Sequence, residues 1–329
     1  MKQLTRLAFS VCAAIISLAG STASAQTSAD PLPKGNITIV VPTPPAGPAD
    51  IVARILAAKL SETTGRTFIV DNKAGAGFNL GSAYVAKAQP DGMTWLYTPD
   101  SVLTVNPWIY PSQGFDPVKD LVPVARVEDV LLILAINPEK VPAKNFAELV
   151  ELSKTRTLSF GSAGIGSPGH LALEYLKSVS PLQASHVPYR GASLAMQDLI
   201  GGQIDAAFIV GGVLVPYVKS GALRALAVSA NQRLSSMPDI PTAAEAGIKD
   251  FEARFSNMLL APAGTPENTR RYIAEKIGPI LDLPDVRERL KAMAEDPTAR
   301  HDGEDAAAWL DRERERWGRV IKTANIKAE

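Results

Sequence analysis

Ser159-Phe160-Gly161-Ser162-Ala163-Gly164-Ile165-Gly166-Ser167-Pro168-Gly169-His170 decides how the rest of the chain is read. Leu158 to Phe160 is a short apolar run leading in, and Leu171 to Val179 is an amphipathic run leading out. The pattern predicts a strand, a glycine-rich turn and a helix start. Such a turn presents unpaired backbone N–H groups at a helix N-terminus, where the helix dipole adds positive potential. An anion fits there without any Lys or Arg side chain.

The same unit recurs twice upstream. Ile37 to Val41 is a β-branched run and reads as a buried strand. Pro42-Thr43-Pro44-Pro45-Ala46-Gly47-Pro48-Ala49-Asp50 follows, and its prolines forbid strand and helix interior alike. Ile51, Val52, Ile55, Leu56 and Leu60 then recur at helical spacing. Thr67 to Val70 predicts a second strand, running into Asp71-Asn72-Lys73-Ala74-Gly75-Ala76-Gly77-Phe78-Asn79-Leu80-Gly81 and a helix to about Ala88. Thr94 to Tyr97 predicts a third strand, ending at Thr98-Pro99-Asp100-Ser101.

Downstream, Val122 to Val127 and Val130 to Ile136 read as two further strands. Asn145 with Glu148 forms a capping box for a helix to Lys154. His186 to Gly191 reads as a strand end and turn, Ala192 to Ile200 as a helix stopped by Gly201-Gly202, and Asp205 to Val210 and Leu223 to Ser229 as strands. Thr265 is read as an N-cap with Pro266 at the first helical position, ahead of helices over 267–281, 285–294 and 304–322. Strands alternating with helices predict an α/β fold. Two crossings between lobes, near Arg126 to Val130 and Ile248 to Arg254, predict a hinged cleft.

Residues 1–25 carry the pattern of a secretory signal peptide: basic Lys2 and Arg6, an apolar core from Leu7 to Ala19, and Ala23-Ser24-Ala25 for cleavage. That apolar run is shorter than the ~20 residues a membrane span needs. The single cysteine, Cys12, lies within it, so the remaining chain has no disulfide framework or thiol chemistry. The chain is 329 residues with 46% hydrophobic content, enough for two cores. Lys plus Arg and Asp plus Glu are balanced at 34 each. That balance disfavours nucleic acid as a partner.

Catalytic and cofactor patterns fit poorly. Gly164-Ile165-Gly166-Ser167-Pro168-Gly169 matches G-x-G-x-x-G, yet Pro168 and the lack of an acid ending a following strand at the right distance argue against a dinucleotide. Ser162 and Ser167 lack the glycine two residues before that a nucleophile elbow requires. A Ser167–His170 dyad is conceivable but has no third member, and His170 reads as a capping or packing residue. There is no H-x-x-x-H pair for a metal. What remains is binding, by small-residue loops at strand ends, where α/β folds place ligands.

Several ordered motifs together resemble the tripartite tricarboxylate transporter substrate-binding receptors, the Bug family. They are the Pro42 to Asp50 loop, Asn72-Lys73-Ala74-Gly75-Ala76-Gly77 with Pro90-Asp91-Gly92, Gly161 to His170, His186 to Gly191, Gly201-Gly202-Gln203-Ile204-Asp205, and Ala261 to Pro266. The resemblance implies an α/β, two-lobe periplasmic binding protein type II-like fold with a hinged interdomain cleft. It divides the chain into signal peptide 1–25, lobe 1 over 26–127, lobe 2 over 128–250, and a return to lobe 1 over 251–329. It implies a monomeric periplasmic receptor, not an enzyme, that needs no cofactor or metal. The receptor captures a small organic carboxylate and delivers it to a membrane permease; the alternative is a sensor presenting the carboxylate to a two-component kinase. By motif position the ligand contacts are Thr43, Ala46, Gly47, Gly75, Ala76, Gly77, Ser101, Ser162, Gly164, Ser167, Tyr189 and Gly191. Asp50 is expected to order the first helix start. Thr43 replaces a usual aromatic, and Asp100 stands where Ser, Thr or Asn is common. A carboxylate at Asp100 would oppose an anionic ligand unless it pairs with a ligand ammonium or lies outside the site.

Overall fold

The β-branched run at Ile37–Val41 forms strand β1, with Ile37, Ile39, Val40 and Val41 buried. The computed structural model describes residues 31–293 and 306–327. The signal-peptide reading, His301 and the first residues of the last predicted helix lie outside the described residues. Gly47 caps helix α1 (Pro48–Thr64), with Pro48 in the first turn, where its missing N–H costs nothing. Val52, Ala53, Leu56, Ala57 and Leu60 make its buried stripe, and Gly65 ends it in the left-handed region. A fully buried leucine of this kind contributes about 1.5–3 kcal/mol, and cutting one to alanine costs about 2–5 kcal/mol.

Strand β2 (Phe68–Asn72) and strand β3 (Thr94–Pro99) pair in parallel with β1 on either side. Helix α2 (Asn79–Ala86) connects them, and two short helices follow β3, α3 (Ser101–Thr104) and α4 (Asn106–Ile109). The two strands predicted over 122–136 are one, β4 (Leu121–Ile136). The charged residues Arg126, Glu128 and Asp129 break the apolar run in the sequence. In the fold all three are buried. Asp129 takes Arg126 and Arg254 as ion-pair partners, and Glu128 accepts hydrogen bonds from Tyr97 and Asn257. Local register shifts near Arg126 absorb the irregularity.

The second half contains α5 (Phe146–Thr155), β5 (Leu158–Ser162), α6 (Pro168–Val179), β6 (Ala184–Pro188), α7 (Ala192–Ile200), β7 (Ala206–Val210), α8 (Gly211–Lys219) and β8 (Arg224–Val228). The capping box is present: the Glu148 amide donates to Asn145 Oδ1 at 2.9 Å, and Glu148 accepts from the Lys144 amide at 2.8 Å. Helix α8 has no clear signal in the sequence, because Gly211 and Gly212 open it and Pro216 lies inside it.

Strand β9 (Arg254–Pro262) returns between β3 and β4, antiparallel to both. The sheet order is β2-β1-β3-β9-β4-β7-β5-β6, with β8 also on β4. β4 is therefore common to both halves, pairing with β9 up to Leu131, with β7 from Leu132 and with β8 from Ile133. Helices α9 (Glu267–Leu281) and α10 (Pro284–Ala292) cover the first half. Pro266, not Thr265, caps α9, because the Thr265 hydroxyl turns back to the Pro262 carbonyl at 2.8 Å. Helix α11 (Ala306–Ala324) straddles the sheet. Its Trp309 and Leu310 pack beside β3 and β9, whereas Trp317, Val320 and Ile321 pack under the second half.

Candidate functional site

Asp50 fastens the first two strand-end loops together. Its carboxylate accepts from the Ala46 amide at 2.8 Å, from Arg54 Nε at 3.0 Å and from Asn72 Nδ2 at 2.9 Å. Asn72 also donates to the Thr43 carbonyl at 3.1 Å. Asp50 is buried, which by itself raises its pKa, but the donors from Arg54, Ala46 and Asn72 outweigh burial and hold the carboxyl below its usual range. Ala46 is in the left-handed region at φ 64°, so the loop is bent at a non-glycine residue and needs this brace.

The second loop is a run of left-handed residues: Gly75 at φ 142°, Ala76 at 50°, Gly77 at 58° and Phe78 at 74°. Gly75, Ala76 and Gly77 are exposed. The tight turn over Ala76–Phe78 leaves its first backbone N–H groups without helical partners, and such groups suit an anion. A Cβ on Gly77 would overlap the Tyr110 hydroxyl. Asn106 Nδ2 holds the Gly77 carbonyl at 2.8 Å.

The loop after β5 is held from within. The Ser162 hydroxyl accepts from the Gly164 amide at 3.1 Å, lies 3.0 Å from the Gly164 carbonyl, and meets His186 Nε2 at 2.6 Å. The Gly166 amide donates to His170 Nδ1 at 3.0 Å, and the two imidazoles stack with centroids 3.7 Å apart. The Tyr189 amide donates to the Ser162 carbonyl at 3.0 Å, tying the loop after β6 alongside. The Tyr189 hydroxyl is committed to Asp198 at 2.6 Å. Partial burial raises that phenol's pKa, and the Asp198 bond adds to the effect.

On the side of these loops, the two halves touch at Ile109 and Tyr110. Gly166, in the loop after β5, packs so closely on Ile109 that a Cβ there would overlap Ile109 Cδ1. The next residue, Tyr110, lies against Gly77 of the second loop. Thr43, Ser101 and Ser167 come from three different loops, and each has a buried hydroxyl oxygen without a hydrogen-bond partner among the described residues. An unsatisfied buried polar group costs about 1–3 kcal/mol. Three of the buried oxygens without a partner among the described residues therefore belong to residues singled out by sequence, each free to bond a polar ligand.

Asp100 is fully buried and engaged on one oxygen by the last helix. Its Oδ2 accepts from Trp309 Nε1 of α11 at 2.8 Å, and Trp309 lies beneath the Arg126 guanidinium at 3.8 Å. Full burial pushes the Asp100 carboxyl up to about 8, with Glu313 and Asp129 adding to the rise. At neutral pH it is largely the uncharged acid, so the charge conflict that its position in the sequence suggested does not arise.

Asp50 and Asn72 tie the loop of Thr43, Ala46 and Gly47 to the end of β2, from which the chain runs on into Gly75, Ala76 and Gly77, the last anchored by Asn106. The fold groups Ser162, Gly164, Ser167 and Tyr189 through backbone bonds of the β5 and β6 loops. Gly191 caps α7 at φ 127°. Ser101 is buried at the start of α3. The serine–histidine pair that forms is Ser162–His186, not Ser167–His170. Sequence reasoning missed His186, Asn72, Ile109 and Tyr110; the strand-end position of His186, opposite Phe160 in the parallel register, was the one available signal.

The sequence profile described as "Tripartite tricarboxylate transporter family receptor" matches residues 52–326. Protein BugT of Bordetella pertussis is 32% identical over 327 residues, covering 98% of this chain and 99% of BugT. Among solved structures, an R. palustris protein with adipate superposes with a TM-score of 0.79 at 29% identity, over 90% of this chain and 99% of its own. The periplasmic binding protein BugD superposes with a TM-score of 0.78 at 31% identity, over 90% of this chain and all of its own.

Proposed function

We propose, from the premise that this chain belongs to the tripartite tricarboxylate transporter receptor family, that it captures a small organic carboxylate between the two halves of its sheet and hands it to a membrane permease. The observation that carries this reading is the set of orphan hydroxyls on Thr43, Ser101 and Ser167. They accompany the left-handed run at Gly75 to Phe78. Hydroxyls and backbone amides suit carboxylate oxygens, which accept hydrogen bonds without needing a buried cation. The solved relative holding adipate supports the ligand class. BugD, described as a periplasmic binding protein, supports the compartment.

The contacts would come from Thr43, Ala46, Gly47, Gly75, Ala76, Gly77 and Ser101 on one side, and from Ser162, Gly164, Ser167, Tyr189 and Gly191 on the other. Ser162 and Tyr189 act here through their backbone, since their hydroxyls are bonded within the protein. The two halves, lobe 1 and lobe 2, close about β4 and β9, and closing traps the ligand.

Calorimetry on ligand-stripped protein tests this with adipate, succinate, citrate, benzoate and glutamate. Saturable binding of at least one, weakened tenfold or more by Thr43→Val with Ser167→Ala, supports the reading. Absence of heat with all five rejects it. Titrating the loaded receptor into vesicles containing the permease tests delivery, and no uptake of labelled ligand rejects that step.

A further inference from the structure

We propose that His170, backed by His186, is a positioning residue for ligand binding: as a neutral ring it fixes the Gly164-to-Ser167 loop in the shape that receives the ligand. This deepens the proposed function and rests on it.

The geometry fixes the proton on His170. The Gly166 amide donates to Nδ1, so Nδ1 is bare and the neutral ring carries its proton on Nε2. A protonated His170 has N–H on both nitrogens and can no longer accept from Gly166. The loop then loses its tie at the residue that packs on Ile109. His186 reinforces this arrangement from behind, in a parallel stack 8° from coplanar. Its three neighbouring contacts at Ser162 are all satisfied when His186 carries its proton on Nε2. The ring then donates to Ser162 Oγ, Ser162 accepts the Gly164 amide as well, and its own proton goes to the Gly164 carbonyl. Each imidazole thereby shapes one end of the same loop, His186 through Ser162 at Gly164 and His170 at Gly166.

The surroundings favour the neutral rings. Burial pushes His170 down to about 4, helped by Lys177. Burial also pushes His186 down to about 4, with His170 and Lys177 acting in the same direction and Glu174 against them. Lys177 and Glu174 both belong to α6 and are ion-paired at 2.9 Å. Strands β5 and β7 carry no titratable side chain, and β6 carries only His186. Helix α11, on the other flank of α6, directs Arg316 and Arg319 toward Tyr175. Repulsion across the stack also disfavours charging both imidazoles at once.

Two variants separate positioning from bulk. His170→Phe keeps a ring in the stack and removes the acceptor. His170→Asn offers Oδ1 close to where Nδ1 lies and does not titrate. The first readout needs no ligand: amide hydrogen exchange at Gly166, measured by NMR at pH 7. Exchange at least tenfold faster in His170→Phe, with rates near wild type in His170→Asn, is expected. Equal rates in all three proteins overturn the inference. The second readout is affinity for the tightest-binding carboxylate of the five in the calorimetric panel, between pH 7 and pH 4. His170→Phe should lose tenfold or more at pH 7 and His170→Asn less than threefold. The ratio of wild-type to His170→Asn affinity should fall about twofold by pH 4, where half of the wild-type rings are charged, since the ligand's own titration is common to both. A flat ratio with unchanged affinity in His170→Phe overturns the inference while leaving the proposed function intact. Wild-type protein that binds none of the five removes the function, and the inference falls with it.

Discussion

Gly166→Ala is the most direct probe of how the two halves meet. Two costs add at this residue. The first is backbone: Gly166 has φ 75°, and a left-handed non-glycine residue costs about 1–2 kcal/mol. The second is steric, since the new methyl overlaps Ile109 Cδ1. Overpacking of this size costs about 1–3 kcal/mol. Together they amount to roughly 2–5 kcal/mol, or between about 30-fold and several-thousand-fold in an equilibrium constant. Ile109→Val removes Cδ1 and leaves Cγ1 at 3.6 Å from the new methyl, an ordinary contact. On its own Ile109→Val costs about 0.5–1.5 kcal/mol. In the double variant the steric part should vanish, giving a coupling of about 1–3 kcal/mol in favour of the pair. Because Gly166 and Ile109 come from opposite halves, the strain can also be relieved by opening the cleft. Urea unfolding and ligand calorimetry are therefore both measured on all four proteins. Additive costs in both assays, or a Gly166→Ala variant indistinguishable from wild type in both, would refute the reasoning.

Other substitutions test the remaining parts of the site. Asp50→Ala removes the acceptor that joins the first two loops. Arg54 is half exposed and Asn72 keeps the Thr43 carbonyl, so urea unfolding should show a loss of about 1–3 kcal/mol and calorimetry a weaker complex. Because the folded pKa of Asp50 is lowered, its contribution is present above about pH 4 and is lost as pH falls through the folded value; the Ala variant should lack that part of the acid limb. Asp100 behaves oppositely. With its pKa raised to about 8, the folded protein holds a proton that the unfolded chain releases near 3.8, so this group's stability declines as pH rises from about 4 to 8. Thermal unfolding of Asp100→Asn should decline less over that interval, and a slope equal to wild type would show that Asp100 is ionised. A truncated chain ending at Val127 should show no cooperative unfolding by calorimetry, since β3 then lacks its partner β9.

Much of the architecture is legible from local chemistry. β1 and β2 announce themselves as β-branched runs that stop at proline or glycine, and Asn145 with Glu148 marks α5 unambiguously. Asp50 is also readable, three residues into a proline-rich helix start, although its bond to Asn72 is not. Long-range pairings escape such reading. Ser162 and His186 lie 24 residues apart and meet only because β5 and β6 pair in parallel. Tyr189 looks like a ligand group until its hydroxyl is seen to be bonded to Asp198. β4 looks like two strands because its buried charges mimic a turn, and nothing local reveals that Arg254, 125 residues from Asp129, neutralises one of them. Asp100 misleads for the same reason: its partner Trp309 is 209 residues away.

The position of β9 between β3 and β4 has a consequence for how the molecule comes into being. Leu96 pairs with Leu260, and Leu121 pairs with Pro262, so the first half of the sheet waits for residues made more than a hundred positions later. Until that segment is available, β3 has an open edge and Trp95 and Tyr97 lack part of their final packing. Loops this long are costly to close, so assembly is slow and ends in one concerted step. A polypeptide emerging from a ribosome therefore passes through a long interval with neither half finished, in which a chaperone can still hold it as an unfolded thread.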